Sequence, residues 1–197
     1  MIKGIPVDKC VDLDQKVRNW IGKKILGLCL RELFEFHFMQ TDPNWSNFFY
    51  DGSQEKIVLL DFGASRSYET RFVDKYRKIL KAAYDEDREA ILRHSREIGF
   101  LTGYESKVME NAHCAAVMTL GEAFRSPGFF DFGVQSTTAR INQLIPVMIE
   151  HRLKPPPEEI YSLHRKLAGT FLLCSKLKSQ VECSELFRPV YETHTPD

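Results

Sequence analysis

Three polar side chains in the first third of the chain have the types and the spacing that phosphoryl transfer uses. Asp42 is followed five residues later by Asn47, and Asp61 then begins the tripeptide Asp61-Phe62-Gly63. Magnesium prefers oxygen ligands, which a carboxylate and an amide both supply. Phosphoryl transfer needs such a cation on the phosphates and a group that orients the nucleophile. The spacing therefore predicts a phosphoryl-transfer centre with Asn47 and Asp61 on the metal and Asp42 as the catalytic carboxylate.

Each of these signals has a simpler explanation when it is taken alone. Asp and Asn are common in turns, and the chain contains a second copy of the tripeptide at Asp131-Phe132-Gly133. No strand pattern and no Asp–Asn pair at this spacing precedes the second copy. We therefore predict chemistry at the first copy, where strand, turn and upstream pair occur together.

A short β-hairpin is predicted to bring the distant carboxylate to the other two side chains. Apolar runs at 47–50 and 56–60 flank the turn signal Asp51-Gly52. Two strands joined by such a turn run antiparallel, so the second strand returns Asp61 to the side of Asn47.

A long helix is predicted to precede the catalytic segment. Residues 1–11 contain Gly and Pro and are predicted to form a loop. Apolar residues then recur at helical spacing, with Asp12 or Asp14 as the cap and an end near Phe38. The helix cannot reach Pro43, because proline excludes helical geometry from the residue before it.

After Ser65 the pattern predicts helices alone, so the fold class is mainly α with one small β-hairpin. A loop rich in Gly, Pro and Phe is predicted at 126–135, and Pro146 is predicted to kink the helix that contains it. The predicted helices lie at 70–84, 85–98, 105–124, from 136 or 137 onward, 158–177 and 183–191.

The phenylalanines are predicted to form core, with one alternative for each group. The group around the catalytic segment could instead line a lipid or cofactor slot. The group in the 126–135 loop could instead contact a membrane or a partner. The first group is Phe34, Phe36, Phe38, Phe48, Phe49 and Phe62, and the second is Phe129, Phe130 and Phe132.

Composition excludes several other classes of protein. The chain carries 27 basic and 27 acidic side chains, so a nucleic-acid partner is not expected. The five cysteines are odd in number and far apart, which predicts buried thiols in a reducing compartment. No zinc-binding histidine spacing, no targeting segment and no apolar run of membrane-spanning length is present in this chain.

The residues around the predicted site resemble those of a known family. The stretch from Leu30 to Phe48 contains Gln40-Thr41-Asp42-Pro43-Asn44-Trp45-Ser46-Asn47, and with Asp61-Phe62-Gly63 it is the C-lobe half of the protein-kinase signature. Together with 100–105 and 161–166 it looks like the UbiB family, also called the ABC1 or ADCK kinase-like proteins. The resemblance covers nearly the whole chain and is to the mitochondrial coenzyme Q branch.

The resemblance implies a fold, an activity and a location. It implies the C-terminal lobe of a protein-kinase-like α+β fold, in which Asp42 resembles the catalytic Asp, and Asn47 and Asp61 resemble the metal-binding residues. The implied cofactors are ATP and Mg²⁺, and the implied activity is ATP hydrolysis in support of ubiquinone biosynthesis. The implied partners are a nucleotide, coenzyme Q biosynthesis proteins and an inner-membrane or quinone-precursor lipid, on the matrix side of the inner mitochondrial membrane.

Three departures separate the chain from ordinary protein kinases. Gln40-Thr41 replaces His-Arg before the catalytic Asp, so no Arg is present to pair with an activation-loop phosphate. Asn44 replaces the Lys that contacts the γ-phosphate, and no Ala-Pro-Glu follows Asp61-Phe62-Gly63. These differences disfavour a conventional Ser/Thr protein kinase, which remains the weakest of the alternatives.

Several elements of the N-lobe have no counterpart in the chain. We find no Gly-rich loop, no Val-Ala-Ile-Lys lysine and no Lys-x-Gly-Gln element. We therefore expect one domain over 1–197, with a hinge-side loop at 1–11, the catalytic segment at 12–66 and a helical subdomain at 67–197. We expect poor ATP binding by this chain alone, which leaves two hypotheses: the lobe of an atypical kinase or ATPase, or a catalytically silent binding module of the coenzyme Q machinery.

Overall fold

Seven helices form most of the protein in the computed structural model, which describes residues 4–192. Three of them begin at a capping side chain: Asp14, Asp87 and Ser106 each accept a hydrogen bond from a backbone N–H of the first turn. The helices are α1 (Gln15–Phe34), α2 (Thr70–Tyr84), α3 (Arg88–Ile98), α4 (Lys107–Arg125), α5 (Thr137–His151), α6 (Glu158–Lys176) and α7 (Cys183–Glu192).

Seven short strands form three small antiparallel sheets among the described residues. The first sheet has the order β1-β3-β4, the second pairs β2 with β5, and the third pairs β6 with β7. The strands are β1 (Ile5–Pro6), β2 (Phe38–Gln40), β3 (Phe48–Asp51), β4 (Lys56–Leu59), β5 (Ser65–Ser67), β6 (Phe130–Asp131) and β7 (Gln180–Val181).

The predicted hairpin is present as β3 and β4, with Phe48 opposite Leu59 and Asp51 opposite Lys56. The turn runs over four residues, 52–55. Asp51 fixes it, because its carboxylate accepts from the Ser53 backbone N–H at 2.9 Å and is itself buried. The prediction of a mainly α fold with a small hairpin is confirmed.

Two regions near the hairpin differ from the prediction. Residues 1–11 were expected to form a loop, but Ile5–Pro6 pairs with β3 and Val7–Asp12 is a 3₁₀ helix. The helix expected to reach Phe38 ends at Phe34, because the chain from Phe38 onward forms β2 and pairs with β5. These pairings join segments far apart in sequence, where local periodicity carries no signal.

The region after Ser65 is also not helical throughout. It contains β5 and the β6–β7 pair, in which Phe130 lies opposite Val181. The bounds predicted for α2 agree with the structure, and α5 continues through Pro146 as one helix.

One large core joins six of the helices, all except α5, and Ile98 is the residue that α3 contributes to it. Leu26 of α1, Tyr76 of α2, Phe124 of α4, Phe171 of α6 and Phe187 of α7 belong to one buried cluster. A second cluster packs the start of α1 and the hairpin against the end of α6. All five cysteines are free thiols and buried, as predicted, and no described helix is long and apolar enough to cross a membrane.

Candidate active site

Asp42 and Asn47 are in direct contact. Asn47 Nδ2 donates to Asp42 Oδ2 at 2.7 Å, and the Asn44 backbone N–H donates to Asp42 Oδ1 at 3.1 Å. A short 3₁₀ helix, Trp45–Asn47, sets the five-residue spacing. Its cap is Asn44, whose side chain accepts from the Ser46 backbone N–H. Both oxygens of Asp42 are thereby oriented by the loop itself.

Asp61 is brought to the same loop by backbone contacts. The Leu60 N–H donates to the Asn47 carbonyl at 2.8 Å, and Gln40 Nε2 donates to the Asp61 carbonyl at 3.3 Å. Asp61 has a left-handed backbone, φ 57°, and its Oδ1 accepts from the Gly63 N–H at 2.9 Å. Its carboxylate is exposed. The three predicted site residues therefore occupy one surface.

A buried polar network that sequence reasoning missed lies beneath this surface. Lys166 of α6 donates to Gln40 Oε1 at 2.9 Å and lies 3.6 Å from the Glu32 carboxylate of α1. Glu32 also accepts from the Gln40 backbone N–H at 3.2 Å. The chain of contacts thus runs from Glu32 through Lys166 and Gln40 to the Asp61 carbonyl. The available signal was two opposite charges at core-facing positions of two apolar helices.

Burial controls the ionisation of this network. Desolvation raises the pKa of Glu32, and the neighbouring Lys166 charge opposes that rise. Lys166 is only 3% exposed, and its ammonium also lies 4.8 Å from the centre of the Phe48 ring. A buried charge of this kind is stable only when it is paired, so Glu32 of α1 and Lys166 of α6 stabilise each other.

The catalytic loop is also fixed against α6. Trp45 Nε1 donates to the Gly169 carbonyl at 3.1 Å. A Cβ at Gly169 would lie 2.6 Å from the Pro43 side chain, closer than real Cβ atoms approach other atoms, so only glycine permits this packing. Pro43 directly follows Asp42, and the contact therefore limits where Asp42 can move.

Phe62 was predicted to be core, and that prediction is wrong. Its side chain is 57% exposed, and Phe36 and Phe38 are 49% and 47% exposed. Of the six phenylalanines around the catalytic segment, Phe48 is fully buried. Phe38 stands at the one exposed position of β2, whose other residues, Met39 and Gln40, are buried.

The second Asp-Phe-Gly has the same local turn in a different setting. Asp131 Oδ1 accepts from the Gly133 N–H at 2.8 Å, as Asp61 does from Gly63, but Asp131 also accepts from Gln180 at 3.0 Å. Phe132 is fully buried in the main core. This copy therefore closes the β6–β7 pair and fills the core with Phe132, as expected. For Phe129 of the same loop the expectation of core is wrong, because its side chain is 65% exposed.

The predicted ligand pair, Asn47 and Asp61, has the chemistry to bind a magnesium ion whose other ligands are not protein side chains. No group of three or more His, Cys, Asp or Glu suited to a metal occurs within residues 4–192. Asn47 and Asp61 supply an amide and a carboxylate, and magnesium in phosphoryl-transfer sites completes its coordination with water and phosphate oxygens. The exposed Asp61 carboxylate leaves room for such ligands.

Comparison with known proteins identifies relatives among the atypical kinases. Residues 1–95 match the model of the ABC1 atypical kinase-like domain. The atypical kinase COQ8B, mitochondrial, of Danio rerio is 60% identical over 98% of this chain, which covers 31% of that protein. The atypical kinase COQ8, mitochondrial, of Saccharomyces cerevisiae is 46% identical over 96% of this chain, which covers 38% of it. The chain thus spans about a third of the length of these relatives.

A solved structure supports the fold assignment. The complex of Rv3197 with erythromycin from Mycobacterium tuberculosis aligns with 97% of this chain and 48% of its own, with a TM-score of 0.75 and 16% identity. At this identity the likeness shows a shared fold. It confirms the predicted kinase-like architecture, of which this chain corresponds to the C-terminal lobe.

Proposed function

Because residues 1–95 of this chain belong to the ABC1 atypical kinase-like family, we propose that the chain is the C-lobe of a mitochondrial UbiB-type atypical kinase or ATPase in coenzyme Q biosynthesis. Asn47 and Asp61 hold Mg²⁺, which neutralises phosphate charge, and Asp42 orients the attacking water or hydroxyl. The observation that carries the proposal is the 2.7 Å bond between Asn47 and Asp42, with Asp61 joined to the same loop.

The names of the relatives support the setting of this function. Proteins called mitochondrial COQ8 or COQ8B from zebrafish, rat and yeast align with nearly the whole chain. We accordingly place the protein in the mitochondrion, with ATP and Mg²⁺ as cofactors and coenzyme Q biosynthesis proteins as partners. An inner-membrane or quinone-precursor lipid belongs to the same proposal.

Asn44, which stands in place of the lysine that protein kinases use on the γ-phosphate, favours ATP hydrolysis over peptide phosphorylation. Gln40 is buried, and its side chain is held by Lys166 and the Asp61 carbonyl. Gln40 therefore has a structural contact two residues before the proposed catalytic Asp42, where protein kinases have the His of the His-Arg pair. One relative, in Dictyostelium discoideum, carries the name probable serine/threonine-protein kinase abkA, so peptide phosphorylation stays a testable minor alternative.

The test is titration of the chain with ATP in the presence of Mg²⁺, and the same titration of a full-length COQ8 relative with the substitutions at the matching positions. Asp61→Asn should weaken Mg²⁺-dependent nucleotide binding by roughly tenfold or more, because an anionic ligand is lost. Asp131→Asn is the matched control, since it changes the other Asp-Phe-Gly, and should leave binding unchanged. Equal effects of the two substitutions would contradict the assignment of the site.

A silent binding module is the second candidate. It is favoured by the exposed Phe36, Phe38 and Phe62, three large apolar side chains that are available to a partner. If this candidate is correct, the chain hydrolyses no ATP, and Asp42→Asn changes nothing. A turnover that is present and depends on Asp42 excludes it.

A further inference from the structure

A large apolar cavity lies away from the predicted site, between α2, α4, α5 and α6. Its volume is about 380 Å³, and its walls include Ile79, Leu120, Ile141 and Phe171. An apolar cavity of about 150 Å³ is enough to bind benzene, and ligand pockets in proteins begin near 300 Å³. The cavity is therefore of ligand size.

The cavity separates helix α5 from helix α6. The large apolar residues of α5 are not buried, and Thr137 is its one buried residue. Ile145 and Ile149 line the cavity and yet are 38% and 57% exposed, while Ala168 of α6 is exposed into the same space. A helix with this much apolar surface facing a gap lacks the contacts that normally stabilise it.

The interior of the cavity carries polar groups but no charge at neutral pH. Burial lowers the pKa of His113 to about 4, so this imidazole is neutral at pH 7. The pKa of His164, whose side chain is exposed into the cavity, is lowered in the same direction by the surrounding protein. His113 pairs with Ser95 at 2.7 Å. Tyr76 also lines the cavity, and its buried hydroxyl has no hydrogen-bond partner within residues 4–192.

The edge of the cavity is cationic. Arg152 and Lys154 line it, are exposed, and form no ion pair with any described acidic residue. Lys154 Nζ lies 3.4 Å from the position that a Cβ of Gly99 would occupy, which places it over the α3–α4 connection. An uncharged apolar interior with two free cations at its rim is complementary to a molecule with an apolar chain and an anionic end.

We propose that this cavity binds a free long-chain carboxylate, with its hydrocarbon chain between α5 and α6 and its carboxylate at Arg152 and Lys154. The chain supplies the contacts that α5 lacks. The rim cations reach the carboxylate while their own stems cover apolar surface. The site is separate from Asp42 and Asp61, so its occupancy can be tested whether or not the proposed ATP chemistry is correct.

The first test uses a ligand series on the unmodified chain. Dodecanoate, dodecan-1-ol and dodecylammonium have the same hydrocarbon chain, and each is titrated by calorimetry below the concentration at which it forms micelles. We expect saturable one-to-one binding in the order carboxylate, alcohol, ammonium, with affinity for shorter carboxylates falling roughly fourfold per methylene removed. Equal binding of the carboxylate and the ammonium would overturn the proposal.

Matched variants supply the second test. Ala168→Phe fills the cavity and should weaken dodecanoate binding by roughly tenfold or more, whereas Ala139→Phe, an exposed position on α5 outside the lining, should not. Replacing Arg152 and Lys154 by Gln should remove the preference for carboxylate over alcohol. The control replaces the exposed Lys16 and Arg71 by Gln, which changes net charge equally elsewhere.

Two further outcomes would count against the proposal. Binding to phospholipid vesicles without binding of monomeric dodecanoate would identify the face as a membrane contact. Absence of dodecanoate binding in a full-length COQ8 relative, when this chain binds it, would mean that another segment of that relative fills the cavity. Binding in both proteins, lost in Ala168→Phe and kept in Ala139→Phe, supports the site.

Discussion

Asp61 combines a predicted chemical role with a strained backbone. Its φ of 57° lies in the left-handed region, which costs most residues roughly 1–2 kcal/mol, while Asp and Asn adopt it more readily. The carboxylate offsets this cost locally, because its Oδ1 accepts the Gly63 N–H. The geometry therefore suits Asp for a conformational reason as well as for metal binding.

This strain can be separated from the metal role by two substitutions at one position. Asp61→Ala and Asp61→Gly both remove the carboxylate, but Gly adopts a positive φ without a steric penalty. We expect Asp61→Gly to be more stable than Asp61→Ala by about 1 kcal/mol in urea unfolding, although both lose Mg²⁺-dependent binding. Equal stability of the two variants would mean that the left-handed conformation is not held in solution.

His113 provides a residue-scale prediction about pH. Its folded pKa is lowered to about 4, chiefly by burial and further by His164, while Glu105 acts in the opposite direction. A lowered pKa for a base means that the unfolded chain binds the proton more readily, so stability is present above pH 6.5 and is lost as the pH falls toward 4. Between pH 7 and 5 the loss from this residue is about 2 kcal/mol.

The matching variant is His113→Gln, which keeps a neutral hydrogen-bonding group near Ser95. We expect a shallower loss of stability between pH 7 and 5 than in the unmodified chain, measured by urea unfolding at each pH. His164 titrates in the same direction, so part of the acid sensitivity remains. An unchanged pH slope would refute the role of His113.

At the scale of elements, the sequence predicts what depends on local spacing. The bounds of α2, the Asp14 cap and the hairpin all follow from residues within one turn or one strand. The β2–β5 pair does not, because Gln40 and Ser65 meet only after the intervening hairpin has folded back. The exposure of Phe62 does not follow from its apolar type either, so the prediction made from residue type was wrong.

The residues of the candidate site also separate into those that a local motif predicts and those that it does not. The spacing of Asp42 and Asn47 is local, and the structure brings these residues into contact. Lys166 lies more than a hundred residues from Gln40, and no short motif connects them. Its buried charge makes sense only once α1 and α6 are packed side by side.

The ion pair between α1 and α6 gives a prediction that separates stability from function. Lys166→Met leaves Glu32 as an unpaired buried carboxyl and should cost about 3–5 kcal/mol at neutral pH. Since burial raises the pKa of Glu32, the unfolded chain releases its proton first, and the deficit grows as the pH rises above 4.5. The deficit should therefore shrink on acidification, as followed by urea unfolding.

The double substitution is the control for this prediction. Glu32→Leu with Lys166→Met removes both charges, so most of the lost stability should return. The double variant still lacks the contact that holds Gln40 against the Asp61 carbonyl. We expect the double variant to be stable and to bind nucleotide weakly in the presence of Mg²⁺. If it binds nucleotide as well as the unmodified chain does, the network contributes to stability and not to the site.

At the scale of the whole molecule, the last helix is part of the same core as the first. Phe187 of α7 is fully buried and its ring lies 4.9 Å from that of Phe124 in α4, centre to centre. Leu186 of α7 approaches Gly27 of α1 closely enough that a Cβ there would be 3.4 Å away. The two ends of the described chain are thus packed together, which favours one cooperative domain.

The prediction of one domain can be tested at Phe187. Phe187→Ala removes a buried ring and should cost about 3–5 kcal/mol. Both tryptophans, Trp20 and Trp45, pack against the second core cluster, at the start of α1 and beside the hairpin. Their fluorescence therefore reports on the catalytic segment, far along the chain from the substitution. If residues 12–66 and 67–197 unfold as one unit, the fluorescence and circular dichroism transitions of Phe187→Ala shift together to lower urea. A fluorescence midpoint that stays in place while the helical signal shifts would divide the chain into two units.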